Sequence, residues 1–135
     1  MNLPILIFIT IENIICFAIG IVVLAFFYFS YAHVALKDPG LISRDLSKYS
    51  KEFLTELIRS KNRGYCEKCR IVRQDPNTTH CSICEVCVEG YDHHCAWSGK
   101  CIGKGNLLAF NLFTGSIIVV FLYFIISIIL VQALK

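Results

Sequence analysis

The chain has 135 residues, 56% of them apolar, with 13 Lys and Arg against 10 Asp and Glu and a formal net charge of +3. That length holds one small domain or one module with membrane segments, and the apolar fraction is too high for an ordinary soluble domain. The weak, mixed-sign charge argues against nucleic acid as a partner.

In chain order, residues 3–11 are apolar, but nine residues of helix rise only about 14 Å, short of a bilayer. Residues 14–36 then carry no Asp, Glu, Lys or Arg over 23 positions, enough for a transmembrane helix. Glu12 and Asn13 mark its far interface, and Tyr28, Phe29 and Tyr31 suit the near one. No basic residue precedes this run and it is too long for a signal-peptide core, so it reads as a retained span. Cys16, inside it, reads as a small hydrophobe. Lys37-Asp38-Pro39-Gly40 ends the helix, because Pro39 forbids continuation and Gly40 permits a sharp turn.

Residues 44–62 predict an amphipathic helix. Leu46, Tyr49, Phe53, Leu54, Leu57 and Ile58 lie on one face, with Lys48, Lys51, Glu52, Glu56 and Arg59 on the other. Its apolar stripe has two readings, packing on the neighbouring cysteine-rich module or lying on a bilayer surface. Residues 107–134 form a second uncharged stretch, of 28 residues, which spans with tilt. All Lys and Arg except Lys135 fall between Lys37 and Lys104, so the positive-inside bias puts the intervening loop in the cytosol. Thiols stay reduced there and hold metal in preference to forming disulfides. The same charge topology rejects a disulfide-linked extracellular stalk. No internal repeat or low-complexity tract is expected.

Between Cys66 and Cys101 lie seven cysteines and three histidines. Cys66-x2-Cys69 is followed by His80-Cys81-x2-Cys84-x2-Cys87, then by His94 and Cys101. Cysteines three apart can turn onto one metal, so each pair is half a tetrahedral site. Asp75-Pro76-Asn77, Gly90, Gly99, Gly103 and Gly105 make the segment turn-rich, as expected where metal replaces a hydrophobic core. Catalytic zinc would need an open coordination position, and the ligand supply is ample for closed sites. Two zinc ions use eight of the ten groups and, with six thiolates, lower the net charge to about +1. One cysteine and one histidine remain. Asp92-His93-His94-Cys95 offers them side by side with a carboxylate, the arrangement a nucleophilic cysteine needs.

These residues resemble the cysteine-rich domain of the DHHC protein S-acyltransferases (palmitoyltransferases). The likeness runs through Cys-x2-Cys, His-Cys-x2-Cys-x2-Cys, Asp92-His93-His94-Cys95, Cys101, Asn106 and Phe110, and includes Asp38-Pro39-Gly40. The resemblance implies Cys66, Cys69, His80 and Cys87 on one structural zinc, and Cys81, Cys84, His94 and Cys101 on the other. It implies Asp92, His93 and Cys95 as the catalytic group, acyl-CoA (palmitoyl-CoA) as co-substrate, and protein cysteines near the membrane as acceptors. The expected architecture is an α-helical, multi-pass membrane protein with two transmembrane helices flanking a cytosolic zinc-binding domain. Its parts are residues 1–36 (apolar segment and span), 37–64 (turn and amphipathic helix), 65–106 (cysteine-rich domain) and 107–135 (span). Nothing in the residues separates endomembrane from plasma membrane.

Against the family pattern, Ala96 stands where proline is usual, Ser98 where a β-branched apolar residue is, and Lys100 where asparagine is. Ten residues, where nine are typical, separate Cys69 from His80, and Gln74-Asp75-Pro76-Asn77 lacks the usual basic residue after proline. Lys68, Arg70, Arg73, Lys100 and Lys104 either meet CoA phosphates or form a solvated basic surface. Family members carry four spans and a Thr-Thr-x-Glu motif, and the acyl chain sits among all four helices. The two spans read here then imply further chain, partner copies or a partner subunit. The alternative function is a catalytically silent zinc-binding membrane adaptor of the same family.

Overall fold

The computed structural model describes residues 3–42, 46–59 and 64–133. The chain divides into two compact units, one built from the two chain ends and one spanning Val34–Ala109.

The first unit consists of two long helices, most of α1 (Leu3–Leu36) and most of α3 (Leu107–Ala133). α1 passes through Glu12 and Asn13 without a break, so the predicted far interface falls within a continuous 34-residue helix. Asn13–Leu36 and Leu107–Ala133 are each long and apolar enough to cross a membrane. The helices run antiparallel, and small or polar residues set their approach. Ser30 donates to the Ser116 hydroxyl at 2.8 Å, both buried, and the Tyr123 hydroxyl donates to the Cys16 carbonyl at 2.8 Å. Gly20 leaves room for the Tyr123 ring, since a Cβ there would sit 2.6 Å from its oxygen. Phe113 packs against Phe27 and Tyr31. The other faces remain apolar and open: Phe17 is 71% exposed and Phe121 66%. A helix apolar all round requires either a protein core or lipid around it, and little of either span is buried.

The second unit is three antiparallel hairpins: β1 (Tyr65–Cys66) with β2 (Ile71–Val72), β3 (Thr79–Cys81) with β4 (Val86–Val88), and β5 (His93–Cys95) with β6 (Lys100–Ile102). They are repeats of one another. Cys66 pairs with Ile71, Cys81 with Val86 and Cys95 with Lys100, the same spacing each time. A left-handed residue ends each turn, namely Arg70 (φ 54°), Glu85 (φ 55°) and Gly99 (φ 65°). This corrects the expectation of no internal repeat. The repeat is hidden in the sequence because the third hairpin carries Ser98 where the first two carry Cys69 and Cys84.

Asp38-Pro39-Gly40 builds the base of this unit. The Asp38 carboxylate accepts the N–H groups of Gly40 (2.6 Å) and Leu41 (2.8 Å), and these two bonds hold its pKa below the usual carboxylate value. Glu89 N–H donates to the Gly40 carbonyl at 2.9 Å and Gly105 N–H to that of Pro39 at 3.1 Å. Gly103 is required by this close approach, since a Cβ there would lie 2.5 Å from Val88 and 2.6 Å from the Pro39 oxygen. Asn106 is fully buried; its side chain accepts from Gly103 N–H (2.9 Å) and donates to the Cys101 carbonyl (3.0 Å), joining β6 to the start of α3.

The amphipathic helix is shorter than predicted. α2 covers Lys51–Arg59, with Ser50 as its N-cap accepting the Phe53 N–H at 3.2 Å. Leu46 and Tyr49 lie in a preceding turn, and residues 44, 45 and 60–62 of the predicted helix are outside the described residues. α2 buries none of its residues; Phe53 is 48% and Ile58 47% exposed.

Candidate functional site

Hairpin geometry gathers the cysteines and histidines into two four-donor clusters, Cys66–Cys69–His80–Cys87 and Cys81–Cys84–His94–Cys101, each with all donor atoms within 4.8 Å of one another. Within each hairpin turn the chain folds back on itself, so the two cysteines of a Cys-x2-Cys pair meet. The next hairpin supplies the rest. His80 and Cys87 are cross-strand partners on β3–β4, and His94 and Cys101 on β5–β6, so each such pair presents a nitrogen and a sulfur together. The ring Nδ1 is the donor in both sets. It lies 3.7, 3.1 and 3.9 Å from the sulfurs of Cys66, Cys69 and Cys87. In the second set the distances to Cys81, Cys84 and Cys101 are 3.8, 3.2 and 4.0 Å.

The donors fit zinc. Bond lengths of about 2.3 Å to sulfur and 2.05 Å to nitrogen at a tetrahedral centre place S and N about 3.6 Å apart, the middle of the observed range. The electrostatics also call for a cation. Burial and the neighbouring Cys66 and Cys69 thiols push Cys87 up to about 12. Burial and the Cys81 and Cys84 thiols likewise raise Cys101. Burial opposes ionisation of Cys81 too, but the Cys84 amide, the Cys101 thiol and the Ile83 amide bring it down to about 6. One thiol of a set therefore ionises at its neighbour's expense, and only a positive centre lets all three do so. The two clusters could each hold a zinc ion; among the described residues these are the two groups of this kind.

Asp92, His93 and Cys95 belong to neither cluster. Alternation along β5 puts His94 on one face and His93 with Cys95 on the other. Asp92 Oδ2 lies 3.5 Å from His93 Nδ1, and both side chains are open to solvent. Cys95 is 5% exposed. Burial alone would raise its pKa, yet hydrogen bonds from the Ser98 side chain and amide, the His93 ring and the Trp97 amide outweigh it, and the thiol is lowered. The site thus joins a hydrogen-bonded, activated sulfur to an imidazole that a carboxylate flanks.

Three of the five basic residues named as CoA contacts or as a solvated basic surface are engaged within this unit. Lys100 Nζ donates to the carbonyls of Ala35 (2.9 Å) and Lys37 (2.8 Å), and Lys104 pairs with Glu89 at 2.6 Å. The Arg73 side chain hydrogen-bonds to the Cys66 thiol. Lys68 and Arg70 are exposed. Sequence reasoning marks Ser98 and Lys100 as departures that touch packing around Cys95, but misses the place of Ser98 in the hairpin repeat and the reach of Lys100 back to Ala35 and Lys37. Aligning Cys95-x2-Ser98 beneath the two Cys-x2-Cys pairs would have exposed the first, whereas no local pattern signals the second.

Residues 59–134 match the sequence model of a family described as DHHC palmitoyltransferase. The chain is 37% identical over 106 residues to Palmitoyltransferase ERF2 of Kluyveromyces lactis, covering 64% of this chain and 30% of that protein. It is 34% identical over 125 residues to Palmitoyltransferase ZDHHC18-B of Danio rerio, covering 74% of this chain and 31% of the relative. To Palmitoyltransferase ZDHHC9 of Homo sapiens it is 49% identical over 59 residues, 44% of this chain and 16% of the relative. In each case the matched region is less than a third of the relative's length. With the family's cysteine and histidine pattern folded into two four-donor clusters and the family's sequence model matched across most of the second unit and all of α3, this chain belongs to the DHHC palmitoyltransferase family.

Proposed function

We propose that this chain carries the catalytic segment of a protein-cysteine S-palmitoyltransferase, with Cys95 as the nucleophile that holds the acyl group between donor and acceptor. The observation that carries the reading is the split of β5: His93 and Cys95 share one face, with Asp92 against His93, while His94 turns away into the Cys81–Cys84–Cys101 cluster.

His93 takes the Cys95 proton, and Asp92 orients the imidazole and stabilises its charged form. The Cys95 thiolate attacks the thioester carbon of a long-chain acyl-CoA. A new carbon–sulfur bond forms, the bond to the CoA sulfur breaks, and CoA leaves with the electron pair and takes a proton from His93. In the second half His93 deprotonates an acceptor cysteine, whose thiolate takes the acyl group from Cys95, returning the Cys95 sulfur with its electron pair. Both halves exchange one thioester for another, so positioning and activation matter more than driving force. Cys66, Cys69, His80 and Cys87, and Cys81, Cys84, His94 and Cys101, would each hold a zinc ion, which would supply a structural cross-link. The hairpins have few large apolar residues to hold them otherwise.

The donor explains the apolar helices. At about 0.8 kcal/mol per methylene, a sixteen-carbon chain gains roughly 12 kcal/mol by staying out of water. The proposal places Asn13–Leu36 and Leu107–Ala133 in the bilayer, residues 37–106 in the cytosol, and the acceptor cysteines of substrate proteins near the membrane. The division into residues 1–36, 37–64, 65–106 and 107–135 follows from that topology. Further helices enclosing the acyl chain come from more chain, from copies or from a partner subunit.

The test is incubation of purified, zinc-loaded protein with labelled palmitoyl-CoA, then hydroxylamine. Hydroxylamine-sensitive label on wild type but not on Cys95→Ser supports acyl transfer. A folded, zinc-loaded wild type that takes no label favours the silent zinc-binding adaptor.

A further inference from the structure

The metal clusters follow a rule that the third hairpin breaks. Each set takes the two cysteines of one hairpin turn, and from the next hairpin the residue before its first turn cysteine together with a cysteine on its second strand. Cys66 and Cys69 thus receive His80 and Cys87, and Cys81 and Cys84 receive His94 and Cys101. Cys95 holds the first-cysteine position of the third turn, and Ser98 holds the second. Among the described residues no fourth hairpin follows, because Asn106 leads directly into α3. The third turn therefore has the backbone of a metal knuckle with one sulfur and a hydroxyl, and a neutral hydroxyl is a poor zinc ligand.

What remains is the hydrogen-bonding side of a knuckle. In the first two turns the paired positions, Cys66 with Cys69 and Cys81 with Cys84, meet in one donor cluster, and the same register brings the Ser98 hydroxyl to the Cys95 side chain. The Ser98 hydroxyl donates to the Cys95 carbonyl oxygen at 3.4 Å, and its rotor can turn to the sulfur of the same residue. Cys95 is buried, Ser98 half-buried.

We infer that Ser98 is a catalytic residue, its hydroxyl standing where a knuckle has its second thiol and holding the nucleophilic Cys95 sulfur by a hydrogen bond in place of a metal. Ser98 gives up no proton. It keeps the sulfur aligned while the bond to the acyl carbon forms and the bond from that carbon to the CoA sulfur breaks. The substrate in this inference rests on the palmitoyltransferase reading; the geometry does not.

The experiment uses the full chain, zinc-loaded in detergent, with two readouts: the rate of Cys95 acylation by palmitoyl-CoA, and the metal-to-protein ratio by native mass spectrometry. Ser98→Ala is expected to slow acylation roughly tenfold, the scale of one hydrogen bond to an ionised group, with the ratio still two. Ser98→Thr recovers most of the rate. Ser98→Cys puts a thiol, a weaker donor, at the same position; acylation is expected to slow as in Ser98→Ala, and the ratio stays two because no further hairpin completes a metal set. A wild-type rate in Ser98→Ala overturns the inference, as does a wild-type rate in Ser98→Cys. If wild type with two metals takes no label, the palmitoyltransferase reading falls. Iodoacetamide alkylation of Cys95 then decides the hydrogen bond alone: a changed rate in Ser98→Ala supports it, and a rate equal to wild type overturns it.

Discussion

Cys95 and Lys100 are cross-strand partners on β5–β6, and Lys100 Nζ hangs from the carbonyls of Ala35 and Lys37. The strand opposite the thiol is thereby tied to the last turn of α1, where helix carbonyls otherwise lack partners. Lys100→Met is expected to cost about 1–2 kcal/mol and to lower the thermal midpoint by several degrees, with zinc content unchanged. Lys100→Arg, which keeps two donors, should restore most of it. Thermal unfolding of the zinc-loaded variants reads both.

The proposed function gives the neighbours His93 and His94 opposite duties, and metal analysis separates them. His93→Ala should keep two zinc ions and lose at least about 100-fold in acylation, the usual scale for a general base. His94→Ala should lose one zinc. Loss of metal from His93→Ala would show that the two faces of β5 had been assigned the wrong way round.

Because each metal set draws on two hairpins, removing a ligand disorders more than one of them. Cys81→Ala or Cys101→Ala should each lower the zinc content, and a structural zinc contributes on the order of 10 kcal/mol. Stripping both ions with a chelator should make the segment around Cys66–Cys101 protease-sensitive while circular dichroism retains the signal of α1 and α3. Undiminished metal in both variants would sink the second cluster.

Asn106 makes two hydrogen bonds with no water to replace them. Asn106→Ala leaves the Gly103 N–H and the Cys101 carbonyl unpaired and should cost about 2–4 kcal/mol. A denaturant midpoint within error of wild type would contradict this.

The Cys95 thiol lies below its ordinary value, and the thiolate is the reactive form. Acylation should therefore rise with pH, its rising limb lying at lower pH than the ionisation of an ordinary free cysteine. His93→Ala removes one of the bonds favouring the thiolate and should move the rising limb to higher pH. Rates measured across pH 6–9.5 at saturating acyl-CoA check the direction.

Some of this was legible before any coordinates. Two uncharged runs of helix length and three closely spaced cysteine pairs report burial and metal preference through residue type alone, since lipid and zinc each select by chemistry. The amphipathic helix was overdrawn, because an apolar stripe continues through Leu46 and Tyr49 while the Ser50 cap starts the helix only at Lys51. A periodicity does not say where the backbone begins to coil.

By itself the sequence determined which groups could hold metal as a class and that the chain has two membrane-length helices, because both depend on composition over short distances. Only the tertiary structure decided that Asp38-Pro39-Gly40 seats against Gly103 and Gly105, that Lys100 reaches back to Ala35, and that the hairpin of Cys95 repeats the two that hold the metal clusters. Those relations join residues far apart along the chain or equate turns of different composition. Cross-strand register and close backbone approach, which create them, exist only once the chain has folded.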